Sequence, residues 1–333
     1  MNQLFCIGNY SSKGIFCLNF NCGIFEHLST FSSFPNCSYL IKNQNFLYHV
    51  VEVSKSKQFN GGMVSSYNIE NSSFSLLNNC FSYGKSPCHL AIDSYRNILY
   101  VANYEDGSFS AFSISSNGEI GNKVHFEKFE KDISHIHYIA LSQDNQHLFV
   151  IDLGTSQIHA YSIGTNFSFN LHLCDTFSFP NNTQPRHLVL DLKNQIHVIT
   201  EASCEIYTLS FKNNKFSFLF KTSLFPNSIE KKIEDTGCAI KISKNHNFLY
   251  SSLRGENLIC VFEILENKLN LIQSISCHGS IPRDISFDKT ENYLICANQG
   301  SNNLTVFSIS SINGKLNFKS TYPIEKPSCI LLL

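Results

Sequence analysis

Short runs of alternating apolar and polar residues, separated by polar turns, follow one another along the whole chain. This alternation is typical of β-strands that have one buried and one less buried face. One arrangement recurs: an alternating strand that begins near a proline or glycine, a turn, a strand that starts with an apolar-aromatic pair, and a third strand. Residues 87–114 and 282–309 are two clear copies. We find no helical spacing of apolar residues, so we expect an all-β protein.

The copies repeat with the period of β-propeller blades. Successive starts lie 52, 48, 50, 52, 45 and 45 residues apart, at Pro35, Pro87, His135, Pro185, Gly237, Pro282 and Pro327. The last copy, residues 327–333, has a single strand, and residues 4–31 supply the strands that it lacks. We therefore predict one domain over residues 1–333. It is a seven-bladed β-propeller of four-stranded antiparallel blades, with one blade shared between the N- and C-terminal strands to close the ring.

Composition narrows the classes of function. The chain of 333 residues has a net charge of −1, 43% hydrophobic residues and only 15% charged residues. This composition is sufficient for a packed core, and it provides no excess of positive charge that would bind nucleic acid. There is no apolar run of about 18 residues and no signal-peptide pattern. We expect a cytoplasmic protein without a nucleic-acid or membrane partner, and the sequence gives no indication of oligomeric state.

The 13 cysteines are odd in number, irregularly spaced and without a CxxC pair. Several lie within apolar strand-like runs, namely Cys6, Cys17, Cys260 and Cys296. We interpret them as small buried side chains in a reducing compartment, not as disulfide partners. No cysteine or histidine cluster has the spacing of metal ligands, so we predict neither a metal nor another cofactor.

Superposing the repeats brings two columns of side chains to one mouth of the central channel. The first lies near the start of each copy and contains His89, His137, Arg186, His187, Arg283 and Asp284. The second lies five residues after the start of the next strand and contains Glu52, Tyr104, Leu153, Glu201, Arg254 and Gln299. Charged groups that converge are costly unless they are paired. We predict a site for a small anionic molecule; the alternative is a ring of hydrogen bonds that only joins the blades.

These residues and motifs resemble the lactonase family of seven-bladed propellers, which includes bacterial 6-phosphogluconolactonases and fungal carboxymuconate-lactonising enzymes. The resemblance extends over nearly the whole chain. The segments that carry it are Gly8-Asn9-Tyr10, residues 47–52, Ser86-Pro87-Cys88-His89-Leu90, His135-Ile136-His137, Pro185-Arg186-His187, Arg254-Gly255 and Pro282-Arg283-Asp284.

The resemblance implies a catalytic set of His137, Arg186, Glu201 and Arg254. For substrate binding we select His187, Arg283, Asp284, Gln299, His89 and Tyr104. The chain departs from the family pattern at two positions, where Thr200 and Leu253 replace the usual asparagine. Plainer interpretations remain for some members: Arg283 and Asp284 could be a structural ion pair, and His89 and Glu52 could belong to the scaffold.

The set suits the hydrolysis of a sugar lactone, with 6-phosphogluconolactone as the substrate that the resemblance implies. Hydrolysis needs a general base and donors for the oxyanion. We favour His137 as the base, oriented by Glu201, over Glu201 itself, because Arg254 favours the charged carboxylate. Arginine forks suit a phosphate or carboxylate.

Three other functions remain open at this point. A cycloisomerase would use the same arginines to close a carboxylated muconate into a lactone. A propeller without catalytic activity would dock a peptide on its rim. A metal-dependent sugar lactonase would require a cage of oxygen ligands at the channel.

Overall fold

The computed structural model describes residues 2–32, 34–55, 60–130, 132–164, 169–226 and 230–333. In this part of the chain there are 28 strands and no helix, arranged in seven four-stranded sheets whose neighbouring strands are antiparallel. The prediction of a seven-bladed β-propeller is confirmed. None of the described residues belongs to a helix long and apolar enough to cross a membrane.

The strands have these bounds. The first half of the chain contains β1 (Gln3–Asn9), β2 (Ile15–Asn21), β3 (Ile24–Phe31), β4 (Leu40–Asn43), β5 (Phe46–Val51), β6 (Met63–Glu70), β7 (Ser73–Phe81), β8 (Pro87–Asp93), β9 (Ile98–Asn103), β10 (Ser108–Ile114), β11 (Ile120–Lys128), β12 (Ile136–Leu141), β13 (His147–Asp152) and β14 (Gln157–Ile163). The second half contains β15 (Leu171–Ser178), β16 (Pro185–Leu190), β17 (Gln195–Thr200), β18 (Glu205–Lys212), β19 (Lys215–Ser223), β20 (Thr236–Ile242), β21 (Phe248–Arg254), β22 (Leu258–Leu265), β23 (Lys268–Ser276), β24 (Pro282–Phe287), β25 (Tyr293–Asn298), β26 (Asn303–Ile309), β27 (Leu316–Pro323) and β28 (Pro327–Leu332).

The two chain ends share one blade, as predicted. Its strand order is β28-β1-β2-β3, so the last strand of the chain is the inner strand beside the first. Cys6 pairs with Leu331 and Ile7 with Ile330 in this ladder. The ring is therefore closed by strand hydrogen bonds, and no inner edge is left open there.

Burial follows the position of a strand within its blade. The second strands are buried on both faces, as in β9, while a fourth strand such as β11 is mostly exposed and has a buried residue only at its start. The core lies between blades: one cluster joins Phe109 of β10 to Tyr161 of β14, with ring centroids 5.8 Å apart. Burying such a side chain contributes about 2 kcal/mol. Packing between adjacent blades thus holds the inner strands around the channel.

The first inner strand begins later than the repeat predicts. β4 begins at Leu40, five residues after the expected start at Pro35. Asn36 adopts a left-handed conformation with φ of 51°, and its carbonyl accepts hydrogen bonds from the backbone N–H groups of Ser38 and Glu52. A turn therefore replaces the start of this strand, because a residue with positive φ cannot continue a ladder.

A β-bulge interrupts the other six inner strands near their first residue. In β8, for example, Pro87 pairs with Asn103 and His89 with Ala102, so Cys88 has no partner across the ladder. A bulge leaves one extra residue and redirects its side chain. The residues at these bulges are Cys88, His137, Arg186, Cys238 with Ala239, Arg283 and Ser328.

Removing the closing strand tests its contribution to the ring. We expect a chain that ends at Lys326 to melt at least about 10 °C below the full chain, because the ladder to β1 and the burial of Cys329 and Ile330 are lost. The melting temperature is followed by circular dichroism. A synthetic peptide of residues 327–333 should restore much of the loss in the shortened chain and leave the full chain unchanged. Equal melting of the two chains would contradict the prediction.

Candidate active site

The bulged residues and the ends of the second strands meet at one mouth of the channel. They enclose a cavity of about 190 Å³, the mouth cavity, lined by Glu52, Cys88, Tyr104, His137, Arg186, Glu201, Arg254 and Arg283. Three guanidinium groups face two carboxylates there, which leaves one excess positive charge. The structure thus brings together all four residues of the predicted catalytic set. Of the predicted binding residues, Tyr104 and Arg283 line this cavity.

Glu201 lies between two arginines. Its Oε2 atom is 2.8 Å from Nη2 of Arg254 and 3.2 Å from Nε of Arg186. Neither nitrogen makes a hydrogen bond, and both are buried, so the two contacts are ion pairs in the wall of the cavity. The carboxylate holds the two guanidinium groups side by side at the mouth.

Arg186 is the most deeply placed of the three arginines, with 2% of its surface exposed. Its Nη1 donates to the carbonyl of Cys238 at 2.7 Å and lies 3.0 Å from Nε2 of His187. A guanidinium can only donate, so the His187 nitrogen is the acceptor and the imidazole is neutral. Burial, followed by the charge of Arg186, lowers the pKa of His187 well below 6.5, which agrees with this assignment.

Arg283 belongs to a second set of contacts. Its Nη2 donates to the hydroxyl of Tyr10 at 2.5 Å, and that hydroxyl donates to Oε2 of Glu52 at 2.7 Å. Ser38 also donates to Glu52. Burial raises the pKa of Tyr10, so the phenol keeps the proton that it donates. The structure does not pair Arg283 with Asp284, whose carboxylate instead accepts two backbone N–H groups, so the structural ion pair is not present.

His137 is a neutral imidazole surrounded by positive charge. Burial lowers its pKa well below 6.5, and Arg186 and Arg283 lower it further. Its Nδ1 atom is buried without a hydrogen bond. The contacts described for Glu201 reach the arginines and not His137, so the proposed orientation of His137 by Glu201 has no hydrogen bond to support it. The imidazole is instead fixed by ring packing against Tyr104 and His187, at 5.7 and 5.1 Å between centroids.

Four of the predicted binding residues do not line the mouth cavity. His89 is only 3% exposed and packs between the rings of Tyr39 and Tyr138, at 4.3 and 3.9 Å. It lies one residue past the bulge, and the extra residue directs Cys88 into the cavity in its place. Gln299 does not line the cavity either. His187 and Asp284, which also follow bulged residues, lie deeper in the channel.

Sequence reasoning missed Tyr10 and Cys88, although the repeat contains a signal for both. Tyr10 lies five residues after Phe5, as Tyr104 lies five after Leu99, and so belongs to the second column. Cys88 directly follows a proline, as Arg186 and Arg283 do. Aligning the copies by the bulge would have found both.

The two departures from the family pattern have structural explanations. Asn103 and Asn298 bond with their side chains across the turn that follows their strands. In the blade of Glu201, the hydroxyl of Thr200 accepts from the N–H of Glu205 at 3.0 Å and fixes the equivalent turn. Leu253 is fully buried in the core between blades.

The RG motif positions Arg254 through its glycine. Gly255 has φ of 87°, a conformation that side chains disfavour, and an added Cβ would meet the Asp235 carboxylate at 2.2 Å. The chain therefore makes a tight turn directly after Arg254.

Metal ligands are not grouped at this mouth. Among the described residues, no three His, Cys, Asp or Glu side chains lie close enough together to hold a metal ion. The excess positive charge of the mouth cavity favours anions over cations.

Comparison with known proteins agrees with the geometry. The model of the family described as "Lactonase, 7-bladed beta-propeller" matches residues 4–332. The chain belongs to this family. A 6-phosphogluconolactonase of Formosa agariphila is 30% identical to it over 336 residues, which cover 93% of each chain. A 6-phosphogluconolactonase of Bacillus subtilis (strain 168) is 27% identical over 315 residues, or 90% of this chain and 87% of that one.

A solved structure of a protein from Lactobacillus plantarum shares the whole fold with this lactonase-family chain. The TM-score is 0.91 at 26% sequence identity, and the match covers 100% of both chains. Family membership and the named relatives support lactone hydrolysis as the general reaction class.

Anion binding at the mouth can be measured without turnover. Inorganic phosphate at about 100 times its Kd should stabilise the protein by about 2.7 kcal/mol and raise its melting temperature. Arg283→Met should abolish most of this gain, because the guanidinium of Arg283 lines the mouth cavity. Lys221→Met removes an exposed cation from β19 and should keep the full gain. An equal gain in all three proteins would show that phosphate binds elsewhere.

Proposed function

We propose that the protein hydrolyses a sugar lactone that carries an anionic group, with 6-phosphogluconolactone as the substrate. The observation that carries the proposal is the convergence of three guanidinium groups and a neutral, buried imidazole on one cavity. The arginines suit a phosphate and an oxyanion, and the imidazole suits a proton transfer. The named relatives support the choice of substrate.

The arginines divide into two roles. Arg186 and Arg254 flank Glu201 and line the mouth cavity, so we assign them to the lactone carbonyl and its oxyanion. Arg283 lies in the other set, beside Tyr10 and Glu52, and we assign it to the phosphate. Donors fixed before the reaction stabilise developing charge without reorganising.

His137 is the base in this proposal. The carboxylate of Glu201 is already engaged by two guanidinium groups. His137 is neutral and able to accept a proton. Positive neighbours oppose its protonation in the free protein, but the oxyanion that forms during attack offsets them. The imidazole therefore becomes a stronger base as the transition state is reached.

Direct assay decides between the proposed reaction and its alternatives. We expect the purified protein to consume freshly prepared 6-phosphogluconolactone faster than the spontaneous rate, with or without EDTA. Arg254→Met should lower kcat/KM by about 10²–10³, the usual loss of an oxyanion donor, and Lys221→Met should leave it unchanged. Turnover of a carboxylated muconate alone would favour the cycloisomerase, and activity lost to EDTA would favour a metal-dependent lactonase. No turnover of either substrate would contradict an enzymatic role.

The pH dependence of the reaction tests the base. His137 must be neutral to accept a proton, and its pKa lies well below 6.5. We therefore expect kcat/KM to stay level as the pH falls from about 8 to 6.5, with the acid limb below that range. Arg254→Met removes one of the charges that lower this pKa, so its acid limb should move to higher pH. A wild-type limb close to pH 6.5 that does not move in the variant would identify another base.

A further inference from the structure

Directly behind the mouth cavity lies a second, much smaller space, which we call the inner cavity. Its volume is about 20 Å³. One water needs about 10–15 Å³ on this measure, so the inner cavity fits one water molecule. Cys88, His137, Arg186 and Arg283 line both cavities and form the boundary between them.

The walls of the inner cavity are polar enough to hold that water. Its lining residues include Tyr10, Ser328, Asp284 and His137, which carry two hydroxyls, a carboxylate and an imidazole. A buried water typically makes two to four hydrogen bonds, and these groups offer that number.

We propose that the inner cavity is the seat of the attacking water, a single-molecule binding site beneath the lactone. The proposal rests on the proposed function. A substrate in the mouth cavity covers the side open to solvent, and the inner cavity lies on its other side. The nucleophile is thus already in place when the lactone binds, and His137, which lines both cavities, contacts water and substrate together.

The chemical step balances with these groups alone. The water oxygen bonds to the lactone carbonyl carbon while one water proton passes to His137. The carbonyl electron pair moves to its oxygen, which faces the guanidinium groups of Arg186 and Arg254. When the carbonyl re-forms, the ring C–O bond breaks, and His137 returns the proton to the departing ring oxygen. The product is a hydroxy acid, which then ionises to solvent.

A new water molecule can enter the inner cavity while the substrate is bound. Tyr39 and Asp284 line the inner cavity and also a cavity of about 400 Å³ at the opposite end of the channel, the far cavity. The three spaces therefore follow one another along the channel. Water reaches the seat from the far cavity without passing the lactone.

Competition between water and methanol tests the seat in the wild-type protein. Methanol is about twice the size of water and does not fit a space for one water. We expect the enzymatic product to be the acid alone when methanol is added, after subtraction of uncatalysed methanolysis measured by mass spectrometry. A methyl ester formed in proportion to the methanol present would overturn the seat, because the nucleophile would then come from open solvent. A wild type that turns over no lactone would instead overturn the proposed function, and this proposal with it.

A pair of matched variants changes the size of the seat. Ser328→Thr keeps the hydroxyl that donates to the Ser38 carbonyl at 2.8 Å and adds one methyl group beside the seat. We expect kcat to fall about tenfold or more while KM stays within about twofold, because the nucleophile is displaced and the substrate site is not. Ser286→Thr makes the same change on β24, at the far cavity, and should alter neither constant. Ser328→Gly enlarges the seat and should let methyl ester appear.

Each possible result for these variants has a different meaning for the proposal. Melting temperatures show whether each variant is folded. An unchanged kcat in a folded Ser328→Thr protein would overturn the proposal, as would an equal loss in Ser286→Thr. If Ser328→Thr does not fold, the methanol competition in the wild type still decides.

Discussion

A β-bulge repeated at the same place in six inner strands is the constraint on which the site depends. In a regular strand, successive side chains point alternately towards the two neighbouring blades, so all of them take part in packing between blades. The extra residue of a bulge escapes this alternation and faces the channel. His137, Arg186 and Arg283 are all residues of this kind. The scaffold can therefore keep its apolar packing between blades and still present charged groups at one mouth, since the two demands fall on different residues.

Collecting three arginines in one small space has an electrostatic cost, and the structure shows where it is offset. Two carboxylates and a backbone carbonyl compensate part of the charge, and Glu201 alone contacts two of the guanidinium groups. Burial, and after it the remaining positive charge, lowers the pKa of His137 and of His187, which stay neutral. Binding of an anion, as in the proposed reaction, would remove this repulsion. The free site is thus more strained electrostatically than the occupied one, which is the direction that favours binding and the build-up of negative charge during reaction.

The sequence pattern predicted the fold because the residues of blade strands alternate between apolar and polar and because the blades repeat. The number of blades, the shared blade and the convergence of Arg186, Glu201 and Arg254 all follow from the spacing of the repeats. The spacing of the repeats could not predict the one-residue shift in side-chain direction that each bulge introduces. His89 and Cys88 are neighbours in sequence, yet the bulge sends Cys88 to the cavity and leaves His89 between two tyrosines. Tyr10 was missed because its copy is split between the two chain ends, so that Pro327, which marks the start of the copy, lies at the other end of the sequence. The start of β4 was misplaced because a turn at Asn36 occupies the residues after Pro35.

Closure of the ring and assembly of the site are the same event in this molecule. Tyr10 follows β1, Ser328 lies in β28, and these strands pair to close the ring. Tyr10 connects Arg283 of the preceding blade with Glu52 of the following blade, and Ser328 lines the inner cavity. An open ring would separate these groups even if every other blade kept its shape. Because the site draws residues from both ends of the chain, its geometry depends on the pairing of β1 with β28, and a chain whose ring is open lacks the full set of contacts that hold Arg283 in place.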